Sequence, residues 1–178
     1  AEELKEMVAY EKFKKDVDDR INYISSKVKE NSSIKRSVLT IEWYAPVMIG
    51  GLWLPEMIEI AGGNYLYATP GERALTVTRE KLNEINPDVV IIKPCGFKLD
   101  QTMKELETLN RNIPLENWKA YQNSDIFIVD GNAYFNRPGP RMIDSLEILS
   151  YCIHPKIFPE FLEKYGPALV KLSPGLEV

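Results

Sequence analysis

Two unbroken apolar runs constrain this chain most: Val89-Val90-Ile91-Ile92 and Ile126-Phe127-Ile128-Val129. A strand that is apolar on both faces must be covered on both faces. That is the situation of parallel strands sandwiched between helices. Ser37-Val38-Leu39-Thr40-Ile41-Glu42-Trp43, rich in β-branched and aromatic residues, predicts a third strand. Helical periodicity fills the segments around these runs. Leu54, Met57, Ile58 and Ala61 form one face, with Pro55 in the first turn and Gly62-Gly63 as the stop. A helix begins near Thr78, a good N-cap, carries Glu80, Leu82 and Ile85, and stops before Pro87. Leu99, Met103, Leu106 and Leu109 share another face. Ile143, Leu146, Leu149 and Ile153 share a third, on a helix starting at Pro140. A last helix runs from about Pro159 to Tyr165, and Gly166 ends it. Strands alternating with helices predict an α/β fold: three layers, with a mainly parallel central sheet flanked by helices.

Ahead of that lobe, residues Leu4 to Glu30 predict one long helix. Phe13, Val17, Ile21, Ile24 and Val28 recur at three- and four-residue spacings among Lys, Glu and Asp. It would span about 40 Å. Such a helix either packs along one side of a domain or joins two domains.

Composition narrows the functional classes. The net charge is −4 and there is no basic run, which argues against a nucleic-acid partner. No apolar stretch approaches the ~18 residues of a membrane span. The chain opens on Ala1-Glu2-Glu3, which is not a signal sequence. One histidine, His154, is too few for a histidine-built metal site. Neither Gly-x-Gly-x-x-Gly nor Gly-x-x-x-x-Gly-Lys-Ser/Thr occurs. Cys95 and Cys152 are far apart in sequence, and spacing does not decide whether they meet.

In parallel sheets, ligands bind beyond the carboxyl ends of the strands. The strand ends here are Glu42-Trp43-Tyr44, Pro94-Cys95-Gly96-Phe97, and the stretch Val129-Asp130-Gly131-Asn132-Ala133-Tyr134-Phe135-Asn136-Arg137-Pro138-Gly139-Pro140-Arg141. Together they offer aromatics, amides, carboxylates and close-approach glycines. That suits a large amphipathic ring held by stacking and a few hydrogen bonds. Arg137 and Arg141 are candidates for an anion or for carboxamides. Glu42 and Asp130 are lone carboxylates and weak acid–base candidates. Cys95 sits where a nucleophile would sit, but its only histidine partner would be His154. A small side chain in a tight loop is the favoured role. Glu80 is explained by favourable charge at a helix N-terminus.

Several of these stretches resemble one family closely. Glu42-Trp43, Gly50-Gly51-Leu52-Trp53-Leu54-Pro55-Glu56, Ala61-Gly62-Gly63, Val77-Thr78-Arg79-Glu80 and Asn86-Pro87-Asp88 are similar to the C-terminal lobe of cobalamin-type substrate-binding proteins of ABC importers. Pro94-Cys95-Gly96-Phe97 and Asp130 to Arg141 resemble its cobalamin-binding branch, and the match runs from about Arg36 to Pro155. The resemblance implies residues 1–33 as a long interlobe connector helix and residues 34–178 as a C-terminal lobe, with no N-terminal lobe preceding them. It implies a non-enzymatic, extracytoplasmic binding component that carries cobalamin or a related corrinoid, with no catalytic cofactor. A haem or iron–siderophore cargo is the alternative, and a Cys95 enzyme a more distant one. Trp43, Tyr44, Cys95, Phe97, Asn132, Tyr134, Phe135, Asn136 and Arg137 become the expected ligand-binding residues. Glu80 becomes an expected contact to arginines of the membrane permease. The surface that a second lobe would cover, if apolar, would favour a homodimer.

Overall fold

Val89–Ile92 and Ile126–Val129 lie side by side as strands, and every residue of both is buried. The computed structural model describes residues 2–174, with the side chains of residues 5–174. Residue 1 of the expected helix segment and 175–178 of the expected lobe lie outside the described residues. The elements in order are α1 (Glu2–Asn31), β1 (Arg36–Tyr44), β2 (Val47–Ile49), α2 (Leu54–Ile60), β3 (Gly63–Tyr65), β4 (Leu75–Thr76), α3 (Arg79–Asn83) and β5 (Val89–Ile92). Then follow α4 (Leu99–Met103), α5 (Leu106–Asn112), α6 (Lys119–Gln122), β6 (Ile126–Val129), α7 (Gly131–Tyr134), α8 (Met142–Ile153), α9 (Pro159–Tyr165) and β7 (Leu169–Leu172).

The strands form one seven-stranded sheet in the order β4-β2-β1-β5-β6-β7, with β3 also paired to β1. Its centre, β1-β5-β6, is parallel, as expected. Its edges are antiparallel: β2 folds back on β1, β4 pairs β2, and β7 pairs β6. β1 is shared along its length. Arg36–Val38 pair with β3 and Ile41–Tyr44 pair with β2.

The pleat sorts the apolar runs into two cores. Val89, Ile91, Phe127 and Val129 face α2, α8 and α9 through Met57, Ile58, Leu146, Leu149 and Phe161. Val90, Ile92, Ile126 and Ile128 face the other layer through Leu82, Leu109, Ile113 and Trp118. The Trp118 indole, 1% exposed, donates to the Leu82 carbonyl at 3.1 Å, so its polar atom is satisfied inside the core.

The expected helix over Leu99 to Leu109 is two helices. α4 ends at Met103, and the Glu105 amide turns back to the Thr102 carbonyl at 3.0 Å before α5 begins. No helix among the described residues is long and apolar enough to cross a membrane.

Among the described side chains of α1, those packed on the lobe lie in its second half. Ile24 is fully buried, with Val17, Ile21 and Val28 partly buried beside it. Gly62, at φ +82°, ends the turn after α2, and a Cβ there would lie 2.4 Å from Val28 Cγ1. Glycine therefore lets the turn tuck under α1. Arg20 fixes the helix electrostatically, pairing with Glu147 at 2.7 Å and Asp144 at 2.5 Å on α8. Toward the N-terminus the helix stands clear, and Met7, Val8, Tyr10 and Phe13 are exposed.

Candidate functional site

The carboxyl ends of β1, β5 and β6 meet at one edge of the sheet. β1 carries an irregularity between Ile41 and Trp43. There the Glu42 carbonyl accepts from the Cys95 amide at 3.0 Å, which ties the first strand end to the second. The third is tied in by α7. The Asn132 amide donates to the Phe97 carbonyl at 3.0 Å, and Cys95 Sγ donates to Asn136 Oδ1 at 2.7 Å. Asp130 caps α7 by accepting from the Ala133 amide at 2.7 Å. This turn can approach the Pro94 loop because residue 131 is glycine: a Cβ there would sit 2.2 Å from the Pro94 carbonyl oxygen.

An aromatic cluster forms the apolar end of this edge. Trp43 and Tyr44 stack at 5.1 Å, and Phe97 meets Trp43 edge-on at 5.2 Å. At the other end Asn132, Asn136, Arg137 and Arg141 line a depression of about 490 Å³. Cys95, Asn132 and Arg137 are exposed, while Trp43, Phe97 and Asn136 are half-buried.

Of the expected ligand-binding residues, Phe135 and Tyr44 are buried and Tyr134 is half-buried. Phe135 is 5% exposed and belongs to the core. Tyr134 packs against the same core, its ring edge-on to Tyr165 at 5.7 Å. The reason is local: α7 is a helical turn, so Gly131, Tyr134 and Phe135 share its inner face. Asn132 and Asn136 share the outer one. Tyr44 is likewise buried, at 6% exposure, and serves as backing for Trp43. Burial, then the neighbouring Glu105 carboxylate, pushes its phenol pKa up.

One residue of this edge escaped the sequence reading. Lys93, directly after the apolar run of β5, is 2% exposed and lies 3.3 Å from Glu42 Oε2. Its ammonium also sits over the Phe135 ring, 5.9 Å from the centroid. Burial lowers its pKa, against the opposing pull of Glu42. The signal was a lysine ending a buried strand, a position that demands a partner.

The cysteine-nucleophile alternative is overturned by position. His154 follows α8 and lies against Gly62, beside Arg36 at the start of β1. Cys95 follows the end of β5, at the opposite edge of the sheet. The sulfur's partner is an amide, not an imidazole. Cys152 is fully buried in α8 and both cysteines are free. Glu80 is exposed at the start of α3. Its own backbone amide, then the Thr78 hydroxyl, hold its carboxyl below the ordinary value.

No protein-family model matches the chain, and no curated protein matches it in sequence. Solved structures do match it in shape. An ABC-transporter substrate-binding protein from Listeria monocytogenes EGD-e aligns with a TM-score of 0.69, at 17% identity, over 82% of this chain and 57% of its own. A periplasmic haem-binding protein from Pseudomonas aeruginosa aligns with a TM-score of 0.67, at 20% identity, over 82% of this chain and 53% of its own. An ABC-type Fe3+-hydroxamate transport system from Saccharomonospora viridis DSM 43017 aligns with a TM-score of 0.62, at 23% identity, over 79% of this chain and 48% of its own. The chain thus spans about half the length of the solved structures it matches. At these identities the likeness is one of fold: the chain has the α/β fold of a periplasmic binding-protein lobe, preceded by a long helix.

Proposed function

We propose that this chain is part of an extracytoplasmic substrate-binding component of an ABC importer, and that the edge formed by β1, β5 and β6 is one wall of its ligand cleft. The observation that carries this is the pairing of a half-buried Trp43–Phe97 platform with Cys95 and the amides of Asn132 and Asn136 at the carboxyl edge of parallel strands. Flat aromatic faces beside a few polar groups suit a planar metal chelate. A corrinoid such as cobalamin is the first reading, supported by the Pro94–Phe97 and Asp130–Arg141 stretches. Haem or a ferric siderophore is the second, favoured by the haem and Fe3+-hydroxamate proteins of the same fold. Residues 1–33 act as the helix between two lobes and 34–178 as the C-terminal lobe.

Titration with cyanocobalamin, haemin and a ferric hydroxamate, followed by visible absorbance, tests the reading. One of them is expected to give a saturable spectral change. Trp43→Ala is expected to weaken that ligand by about tenfold, the scale of one lost aromatic contact. Absence of binding by all of them would reject the cleft.

Glu80 is proposed as a permease contact, because it is exposed and its carboxyl is held in the ionised form. Glu80→Ala should leave ligand affinity unchanged and lower uptake in a reconstituted importer. Unchanged uptake would remove the docking role.

A further inference from the structure

We infer that the ligand carries an anionic group on its rim, a carboxylate or a phosphate, and that Arg137 and Arg141 hold it. The inference rests on the ligand-cleft reading and adds the charge of what is bound. Arg137 and Arg141 both line the depression of about 490 Å³, which Asn132 and Asn136 join to the Phe97 and Cys95 loop, and no acidic residue lines it with them. Among the described residues Arg137 takes part in no side-chain hydrogen bond or ion pair. Arg141 makes a single long bond, from Nη1 to the Ala133 carbonyl at 3.4 Å. Arg20 and Arg36, by contrast, are each bound to carboxylates.

The carboxylates nearest in sequence are already engaged. Asp130 accepts from the Ala133 amide at 2.7 Å. Asp144 accepts from Arg20 at 2.5 Å and from Tyr165 at 2.9 Å. No carboxylate lines the depression, so its positive charge has no counter-charge among the lining residues, and it stands out on a chain whose net charge is −4. A neutral, amide-rimmed ligand would satisfy Asn132 and Asn136 but would cover two guanidinium groups without giving them a counter-charge, which is unfavourable. An anionic rim supplies that charge, and the planar guanidinium fork fits a carboxylate or phosphate through paired hydrogen bonds. The wall is thus divided: Trp43 and Phe97 for the ring body, Cys95 and Asn136 between, Arg137 and Arg141 for the charged periphery.

The test uses the whole chain and ligands that share a body and differ at the rim. Cobyrinic acid carries peripheral carboxylates where cobinamide carries amides, and haemin is compared likewise with its dimethyl ester. Affinities are read by visible absorbance. The carboxylate form is expected to bind at least about tenfold more tightly. In R137Q/R141Q that preference should vanish, the charged and the amide or ester forms binding equally; Arg137 and Arg141 are both exposed, so the variant should fold. Cyanocobalamin differs from cobinamide by a phosphodiester-linked nucleotide, and an advantage over cobinamide that R137Q/R141Q abolishes would identify phosphate as the anion. Equal binding of the charged and neutral forms, or a preference that survives in R137Q/R141Q, overturns the anionic rim and leaves the cleft intact. If no chelate binds to the unmodified chain, the cleft reading falls and takes this inference with it.

Discussion

Gly131→Ala is expected to destabilise the protein by about 3 kcal/mol and to abolish ligand binding at the proposed cleft. The added Cβ would lie 2.2 Å from the Pro94 carbonyl oxygen and 3.0 Å from the Lys93 carbonyl carbon. Those are backbone atoms in a loop anchored by buried strands, so no side chain can swing aside. α7 must move instead. Its movement breaks the Asn132–Phe97 and Cys95–Asn136 hydrogen bonds together, so stability and site geometry fail for one reason. For a chain of this size the melting temperature should fall by about 10 °C. Gly139→Ala is the control: it lies in the same stretch, but a Cβ there meets nothing within 4 Å. It should stay within about 0.5 kcal/mol of the parent. Thermal unfolding of both variants decides the matter, and equal melting temperatures would show that the close approach at residue 131 has no consequence.

What was legible from sequence, and what was not, divides along physical lines. The parallel centre was legible because both faces of β5 and β6 are covered, which writes an unbroken apolar run into Val89–Ile92 and Ile126–Val129. α8 and α9 were legible from period and caps. The antiparallel edges were not. β2 and β4, like the short parallel strand β3, span only two or three residues, too few to show a periodicity, and the residues of β4 are exposed. Their identity as strands comes from pairing with other strands, not from their own composition. The site shows the same division. The strand ends that gather at one edge could be read from the α/β pattern, as could the residues there rich in recognition groups. Their facing could not. Gly131 and Asn132 are poor helix formers, so the Asp130 N-cap was passed over and the turn read as a loop. The resemblance implies Tyr134 and Phe135 as ligand contacts, whereas the helical turn buries Phe135 and half-buries Tyr134 beside Gly131. Lys93 was missed because its partner, Glu42, is separated from it by 51 positions.

Arg20→Leu is expected to cost about 3 kcal/mol at neutral pH and to make the protein more sensitive to acid. Arg20 joins α1 to α8 by charge: Nε lies 2.7 Å from Glu147 Oε1 and Nη2 2.5 Å from Asp144 Oδ1. Glu147 is 4% exposed, so an ionised carboxylate there depends on its donors. They are Arg20, Lys164 at 2.7 Å and the Tyr165 hydroxyl at 2.5 Å. Burial alone would raise the Glu147 pKa, but the hydrogen bonds from Arg20, Lys164 and Tyr165 outweigh it and hold the carboxyl below its ordinary value of 4.5. A carboxyl whose folded pKa is depressed stabilises the fold fully above its unfolded pKa. That stabilisation is lost as the pH falls through the folded value. Leucine at position 20 removes the strongest of these donors, so the Glu147 pKa rises and acid unfolding begins at a higher pH. It also leaves a buried carboxylate short of charge, which is costlier than never having the pair. The double variant Arg20→Leu/Glu147→Leu should therefore be more stable than Arg20→Leu alone. Lys15→Ala, which removes an exposed pair with Asp19 at 3.8 Å on the same helix, should change stability by less than about 0.5 kcal/mol. Urea unfolding at pH 7 and at pH 4 separates the cases. If Arg20→Leu matches Lys15→Ala at both values, the Arg20–Glu147 pair does not hold the long helix to the lobe.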